Sequence, residues 1–513
     1  MYRTAKNLLS LRTSPQAGVA ISYNKMGIPT PVCALARNDR EMMGIPTGAN
    51  ALEMTIREVI VMDAIEKRPL MFTNKALVTM TIPIILDALL AIVAGMVDSA
   101  MVSSAGEAAV SAVSLVDSVN LLFISAFSGM AVGGSVVTSQ YVGKRDYRHA
   151  SVSANQLLYL STAVALVFMT LLLCAREGVL RLVYGNIDAD VFQNASTYFL
   201  FTLLGYPFFA MGASSAAVLR SMGKNRQAVT ITVLYNILNV IGNAVLIYGF
   251  HLGVAGAAIS TTVSRMVYAA VGMWLAHNKA LPAHFEGLLK FRLDMDVIRR
   301  VFKTGVTNGM EGSMFHIGKI LLSSLVASFG TVTIAANSVA NTLNNVGWVI
   351  VGGFGTVLLP VVGQCIGAGE EAQAKTNAKK LFTAATVATY LLFGGVFLLR
   401  HQLVRLFDFN QEALQVCAYY TGVYAVLSMG SVYSFSFVPI QAFRAAGDIR
   451  YTTVLGLASM FGFRVALSYI LNAIFPQLGL MSVCIGMWAD WMFRSVMNVI
   501  HFLSGKWVRK RLV

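Results

Sequence analysis

From Asn74 onward the chain is a succession of apolar runs separated by short polar breaks. Each run is about 20 residues, long enough to cross a bilayer core of ~30 Å as a helix. Twelve helices are predicted, over 75–101, 108–139, 153–175, 194–219, 228–250, 254–276, 302–328, 334–363, 380–399, 414–440, 451–475 and 480–504. The segment 1–73 breaks the pattern. It is polar to mixed, with scattered Pro, Gly, Arg and Asn and no long apolar stretch, which argues against a cleaved signal peptide. It is expected to be a disordered extension or a start site placed too early, since methionines recur at Met42, Met43, Met54, Met62 and Met71.

The pattern repeats. SQYVGKRDYRHA from Ser139 resembles GQCIGAGEEAQA from Gly363, a shift of 224 residues. LRSMGKNR from Leu219 resembles FRAAGDIR from Phe443 at the same shift, as does SSAGEAAVSAVS from Ser103 against ASFGTVTIAANS from Ala327. The chain therefore divides into two halves of six helices. An even number makes both halves enter from one side, so they are parallel repeats about an axis normal to the membrane, with a central cleft. The expected domains are an N-half over 74–278, a cytoplasmic connector over 279–301, and a C-half over 302–513 that ends in a short basic tail.

Composition agrees: 56% of residues are hydrophobic and 12% charged, against roughly 25% charged in soluble proteins. The fold class is all-α integral membrane. The net charge of +15 suggests nucleic acid until the charges are placed. They fall in alternate loops: Lys144, Arg145 and Arg148; Arg220, Lys224 and Arg226; Lys290, Arg292, Arg299 and Arg300; Lys375, Lys379 and Lys380; Arg444 and Arg450; and the tail from Lys506 to Arg511. The intervening loops carry little, namely Arg176, Arg181, Arg400 and Arg405. Positive loops stay inside, so both termini are expected in the cytoplasm, and nucleic acid is not a partner. Cys33, Cys174, Cys365, Cys417 and Cys484 lie far apart, without disulfide or zinc spacing. No phosphate-binding GxxxxGK[ST], HExxH or GxSxG occurs, so an enzyme is not expected.

Polar residues inside the apolar runs carry the candidate chemistry. Asp87 and Asp98 are 11 residues apart in LDALLAIVAGMVDSA, which returns them to one helical face. Acids at such depth usually line a water-filled path, and both are expected to face the cleft. The alternative is a snorkelling or paired acid, stronger for Asp87 beside Pro83. The repeat separates the two. Asp87 maps onto Glu311, whereas Asp98 maps onto Leu322, so Asp98 belongs to the N-half alone and is the better coupling candidate. Asn236, Asn239 and Asn243 follow in the fifth run. Asn239 and Asn243 share a face and offer oxygens to Na⁺ or to a protonated Asp; interhelical hydrogen bonding is the alternative. Ser260, Thr261 and Thr262 lie in the sixth run. Glu311, His316 and Lys319 lie in the seventh: Glu311 either contacts substrate as a second carboxylate site with Asp87, or forms a salt bridge. Lys319 is expected to pair with an acid of another helix, such as Asp117 or Asp490.

These segments together resemble the multidrug and toxic compound extrusion (MATE) family from about Asn74 to the end. The carriers are IPIILDALLAIVAGMVDSAMVSSAGEAAVSAVSL, GGSVVTSQYVGKRD, LRSMGKNR, NILNVIGNAVLIYG, GVAGAAISTTVSR, GQCIGAGE and FRAAGD. The resemblance implies a V-shaped pair of six-helix bundles exporting organic cations or drugs against H⁺ or Na⁺; a related exporter of an endogenous metabolite, peptide or lipid-linked precursor is the alternative. It places the coupling site on Asp98, Asn239, Asn243 and Thr261, with Na⁺ at Asp98, Asn239 and Asn243. Asn243 stands where some members have Asp, which removes a charge. Acids that some members carry in helices seven and ten fall near Phe315 and Tyr433, so that site is not reproduced. A monomer in the bacterial inner membrane, with lipid and small organic cations as its partners and no cofactor beyond the ion, completes the expectation.

Overall fold

The structure, a computed structural model, describes residues 70–513 except 186–187, 289–291, 406 and 408–410. The expected extension lies outside the described residues up to position 69. Every regular element among the described residues is helical. The N-half comprises α1 (Asn74–Ser103), α2 (Glu107–Gly143), α3 (Tyr147–Tyr184), α4 (Ala189–Leu204), α5 (Tyr206–Ser221), α6 (Asn225–Asn243) and α7 (Gly253–Ala276). The C-half comprises α8 (Met295–Ala327), α9 (Thr331–Gly367), α10 (Glu371–Val404), α11 (Gln411–Gly430), α12 (Tyr433–Ala446), α13 (Ile449–Ala458), α14 (Leu467–Ile474) and α15 (Leu480–Ser504). A π-helical turn, Ala244–Gly249, continues α6, and another, Ser459–Ala466, joins α13 to α14.

Eight described helices are long and apolar enough to span a membrane, or ten with each bent pair counted as one span. Their outward residues include Leu166, Val167 and Leu171 on α3 and Leu391 and Leu398 on α10. Such apolar exposure suits lipid rather than water. Helices α8 and α15 fall on the other two predicted runs but are more polar.

Three predicted boundaries change. The run 194–219 is two helices meeting at Gly205 with a 45° bend, and 414–440 is two helices bent by 51°. At the second bend Val432 has φ +49° and ψ +61°, a costly conformation for a β-branched residue. Ser495 Oγ on α15 donates to Ser431 O (2.7 Å) and Val432 O (3.3 Å), which holds the bend. The connector 279–301 is shorter than expected. Asp294 accepts from the Asp296 and Val297 amides (both 3.1 Å) and caps α8 at Met295.

The repeat offset reappears as paired contacts between the halves. Gln140 Nε2 on α2 donates to Ala445 O on α12 (2.7 Å), and its mate Gln364 Nε2 on α9 donates to Ser221 O on α5 (2.7 Å). Both partners are also 224 residues apart. Gly143 meets Gln364, and Gly367 meets Gln140. Helices α2 and α8 approach along Gly129 and Gly133 against Gly309 and Gly305, because glycine lets the backbones close. A Cβ on Gly305 would stand 2.8 Å from Met130 Cα. Gly305→Val is therefore expected to cost about 1–3 kcal/mol as an overpacked contact. A lower melting temperature of the purified protein is the readout, and an unchanged one would show that the helices can separate freely.

Candidate functional site

Helices α1 and α6 pack in one register, 145 residues apart. Asn225 Nδ2 donates to Met80 O (3.2 Å) and Thr232 Oγ1 to Asp87 Oδ1 (2.6 Å), and Asn243 Nδ2 hydrogen-bonds Asp98 Oδ1. The two acids do share a face, as their spacing predicts. That face meets α6, and neither acid lines the large cavity described below. An acid in an apolar segment is stabilised by donors, and α6 supplies one to each.

Asp98 is the centre of the first cluster. Asn243, one helical turn after Asn239, holds its carboxylate, and Asn239 Nδ2 donates to Thr261 Oγ1 on α7 (3.1 Å). The structure thus brings together Asp98, Asn239, Asn243 and Thr261. Thr261 Oγ1 also donates to Ala257 O (2.9 Å), and Ser260 Oγ to Asn239 O (2.9 Å). The Asn243 side chain is fully buried, yet its Oδ1 has no hydrogen-bond partner. The π turn begins at the next residue, Ala244, and such turns are frequent at functional sites.

Asp117 on α2 lies close enough to Asp98 to act on it electrostatically. It accepts from Asn120 Nδ2 (3.2 Å) and Tyr198 Oη (3.4 Å), while Tyr206 Oη donates to Asn120 Oδ1 (2.7 Å). Arg265, buried on α7, donates to Thr202 O (3.0 Å), and its field reaches Asp117. Asp117 and Arg265 both interrupt apolar runs, and intramembrane charge is the signal that marks them; of the two, only Asp117 is expected from the sequence, as a partner for Lys319.

Asp87 and Glu311 occupy equivalent places. Glu311 Oε2 accepts from Arg444 Nη2 (2.6 Å), with both side chains 13% exposed. Arg220, the repeat mate of Arg444, acts electrostatically on Asp87. Glu311 also stands against Gly456, the mate of Thr232. The acid–arginine arrangement recurs in both halves, as an ion pair between Glu311 and Arg444 and at longer range between Asp87 and Arg220, where Thr232 supplies the hydrogen bond to the acid. Glu311→Gln would leave the mostly buried Arg444 without its counter-ion, at about 3 kcal/mol. It is expected to lower the melting temperature and the transport rate while the dependence on the driving ion stays as in the wild type.

The second cluster has no counterpart in the N-half. It surrounds a cavity of about 800 Å³ lined from α8, α9, α12, α13, the second π segment and α15, with Ser125 of α2 at its edge. Phe315 stacks on Trp348 (centroids 6.3 Å, planes 13° apart), and Trp348 meets Phe437 edge-on (5.1 Å). The bend at Val432 brings Tyr433 onto Trp491 (5.0 Å). Phe315 and Tyr433 are thus wall residues. Behind them Asp490, 0% exposed, binds Arg464 Nη2 and Arg494 Nε, both at 2.7 Å. Arg464 lies in the second π segment.

Lys319 pairs with neither expected acid: Asp490 is taken by the two arginines, whose rigid guanidinium forks match a carboxylate better than an ammonium, and Asp117 is held in the N-half. Lys319 instead faces the cavity, its Nζ 5.8 Å from the Phe315 ring centre. Arg464 and Arg494 were missed in the sequence, although each is an unexplained cation inside an apolar run, the same signal that marked Asp98. Among the described residues, no three His, Cys, Asp or Glu side chains are grouped to hold a metal.

The fold matches solved transporters. A MOP superfamily transporter from Pyrococcus furiosus, reported to have a binding pocket of reverse polarity that suggests a different function, superposes with a TM-score of 0.78 at 21% identity, covering 85% of this chain and 96% of that one. A variant of the Vibrio cholerae MATE transporter VcmN gives 0.76 at 18% identity, over 84% and 96%. In sequence, the Bacillus subtilis transporter YisQ is 25% identical over 453 residues, 85% of this chain and 95% of its own length. The multidrug export protein MepA of Staphylococcus aureus is 21% identical over 416 residues, 81% and 90%. The MatE family model matches twice, over residues 83–245 and 310–470. These two matches hold Asp98 with its asparagines in the first and Glu311, Lys319 and Arg464 in the second, and with them the chain belongs to the MatE family of multipass membrane transporters.

Proposed function

We propose that the chain is a secondary active antiporter that exports drug-like small molecules in exchange for H⁺ or Na⁺, coupled at Asp98, Asn239, Asn243 and Thr261. One observation carries the reading: the buried, unpartnered Asn243 Oδ1 beside the Asp98 carboxylate. A proton on Asp98 would give that amide oxygen a donor. Na⁺ would take the carboxylate and amide oxygens together. In either case ion binding changes what holds α1 to α6. The two halves, six spans each with α8 and α15 included, then alternate access around the cleft, with both termini in the cytoplasm of a bacterial inner membrane. The monomer is the working unit and needs no cofactor beyond the ion. Catalysis of a covalent reaction is not part of the reading.

The cargo divides into two readings. Organic cations follow from the family resemblance, and the aromatic walls of the cavity suit their bodies. However, no carboxylate there is free to meet a cation: Glu311 is held by Arg444, and Asp490 is buried between two arginines. This favours the second reading, an endogenous metabolite. Proteoliposomes given ΔpH alone or ΔNa⁺ alone test the function. One gradient should drive efflux of a substrate panel and the other should not. Efflux under neither would reject coupled transport.

A further inference from the structure

The charges around the C-half cavity do not cancel. Glu311 and Arg444 form a neutral pair. Asp490 neutralises one of Arg464 and Arg494 and leaves one positive charge over. Lys319 adds a second, since no carboxylate among the described residues forms an ion pair with it. Two unmatched positive charges thus border a cavity in the apolar layer, where like charges repel more strongly than in water. Both approach one ring: Lys319 Nζ is 5.8 Å and Arg464 Cζ 5.3 Å from the Phe315 centre. Charge of this sign, without an internal counter-ion, is what an incoming anion neutralises.

The opposite holds in the N-half. With Asp87 set against Arg220, Asp98 and Asp117 still outnumber the buried Arg265 there, and Asp98 is held by an amide. Neither cluster obeys the repeat. Asp98 falls on Leu322, Lys319 on Gly95, Arg464 on Val240 and Asp490 on Met266. The placement of an acid near an arginine is kept in both halves, whereas the remaining charges are divided by sign, acidic in one half and basic in the other.

We infer that the C-half cavity binds an amphipathic organic anion, a carboxylate, sulfonate or phosphate on an apolar or aromatic body. Lys319 and Arg464 face the oxyanion, and Phe315, Trp348 and Phe437 take the body. The cavity volume of about 800 Å³ falls within the ordinary range for a small-molecule site. The acidic N-half leaves the coupling cation its own site, so ion and cargo meet different residues. The inference deepens the efflux reading as to cargo and rests on it for transport, but the binding itself stands apart from coupling.

Two probes with one body and opposite charge decide it: 1-pyrenebutyrate and 1-pyrenebutyltrimethylammonium. Trp348 and Trp491 line the cavity, so tryptophan-to-pyrene energy transfer reports occupancy in the purified full-length protein, after subtraction of a protein-free micelle blank. The anion should bind at least about tenfold more tightly than the cation. Lys319→Gln, which breaks no ion pair, should weaken the anion about tenfold and leave the cation unchanged, as loss of one charge-assisted contact does. Lys319→Arg should restore the anion. Equal or tighter binding of the cation, or a ratio unmoved by Lys319→Gln, overturns the inference. Dihexanoyl phosphatidic acid as competitor distinguishes the source of the oxyanion: Lys319-dependent displacement of pyrenebutyrate points to a lipid headgroup, and its absence to a soluble metabolite. Gradient-driven efflux is measured separately. A charge preference without efflux would reject coupled transport and leave the binding site standing, while efflux without the preference would do the reverse.

Discussion

Asp98→Asn abolishes gradient-driven efflux from inside-out vesicles, while the protein still inserts at the wild-type level. The substitution is nearly isosteric, and an amide at position 98 can still hydrogen-bond Asn243, so the contact between α1 and α6 survives. The negative charge does not. An amide takes up no proton at working pH and offers Na⁺ a dipole in place of a charge. Since Asn243 is neutral, it cannot take over as a second carboxylate, and Asp117 is engaged by Asn120 and Tyr198. Efflux should fall to the level of empty vesicles under ΔpH and under ΔNa⁺. Asp87→Asn is the matched control on the same face. Asp87 belongs to the acid–arginine arrangement repeated at Glu311 and Arg444, so its loss should slow transport without uncoupling it. Wild-type efflux by the Asp98 variant would remove the coupling role. Equal loss at both positions would show that the face, and not Asp98, is what matters.

Much of this arrangement was legible in the sequence. Run length located the apolar segments but not the breaks within 194–219, 414–440 and 451–475, and the 224-residue offset recurs in contacts it did not by itself predict, such as Gln140 with Ala445 and Gln364 with Ser221. The N-half cluster was legible because its members interrupt apolar runs and because 11-residue and four-residue spacings fix which of them share a face. What escaped depends on helix rotation and tertiary pairing. Nothing local to Asp490 says that Arg464 rather than Lys319 will reach it. The Arg464 direction is set in part by a π turn, in which an extra residue shifts all that follows around the axis. The bend at Val432 carries no local glycine or proline at the residue that turns; Ser495, more than sixty positions away, holds it. Helices α8 and α15 read weakly as spans for the same reason that they matter, since each places charge against the cavity.

The largest effect on folding is expected at Asp490. Its side chain is fully buried between Arg464 and Arg494, each at 2.7 Å. Asp490→Ala leaves two guanidinium groups in an apolar interior with no counter-ion. Removing one partner of a buried ion pair costs about 3–5 kcal/mol, and here two cations are stranded by one change. That approaches or exceeds the ~5–15 kcal/mol by which folded domains are usually stable. The variant should therefore lose its monodisperse peak in fluorescence-detected size-exclusion chromatography. Replacing all three, as Asp490→Leu with Arg464→Met and Arg494→Met, removes the charges together and should recover most of the peak, because apolar residues of similar volume pack as well as a buried ion cluster or better. If the anion site is as inferred, the recovered triple variant should hold pyrenebutyrate more weakly than the wild type, since Lys319 then stands alone. An Asp490→Ala protein that elutes and melts like the wild type would mean that water or lipid phosphate reaches Arg464 and Arg494, and that the carboxylate is not what keeps α15 against the π segment.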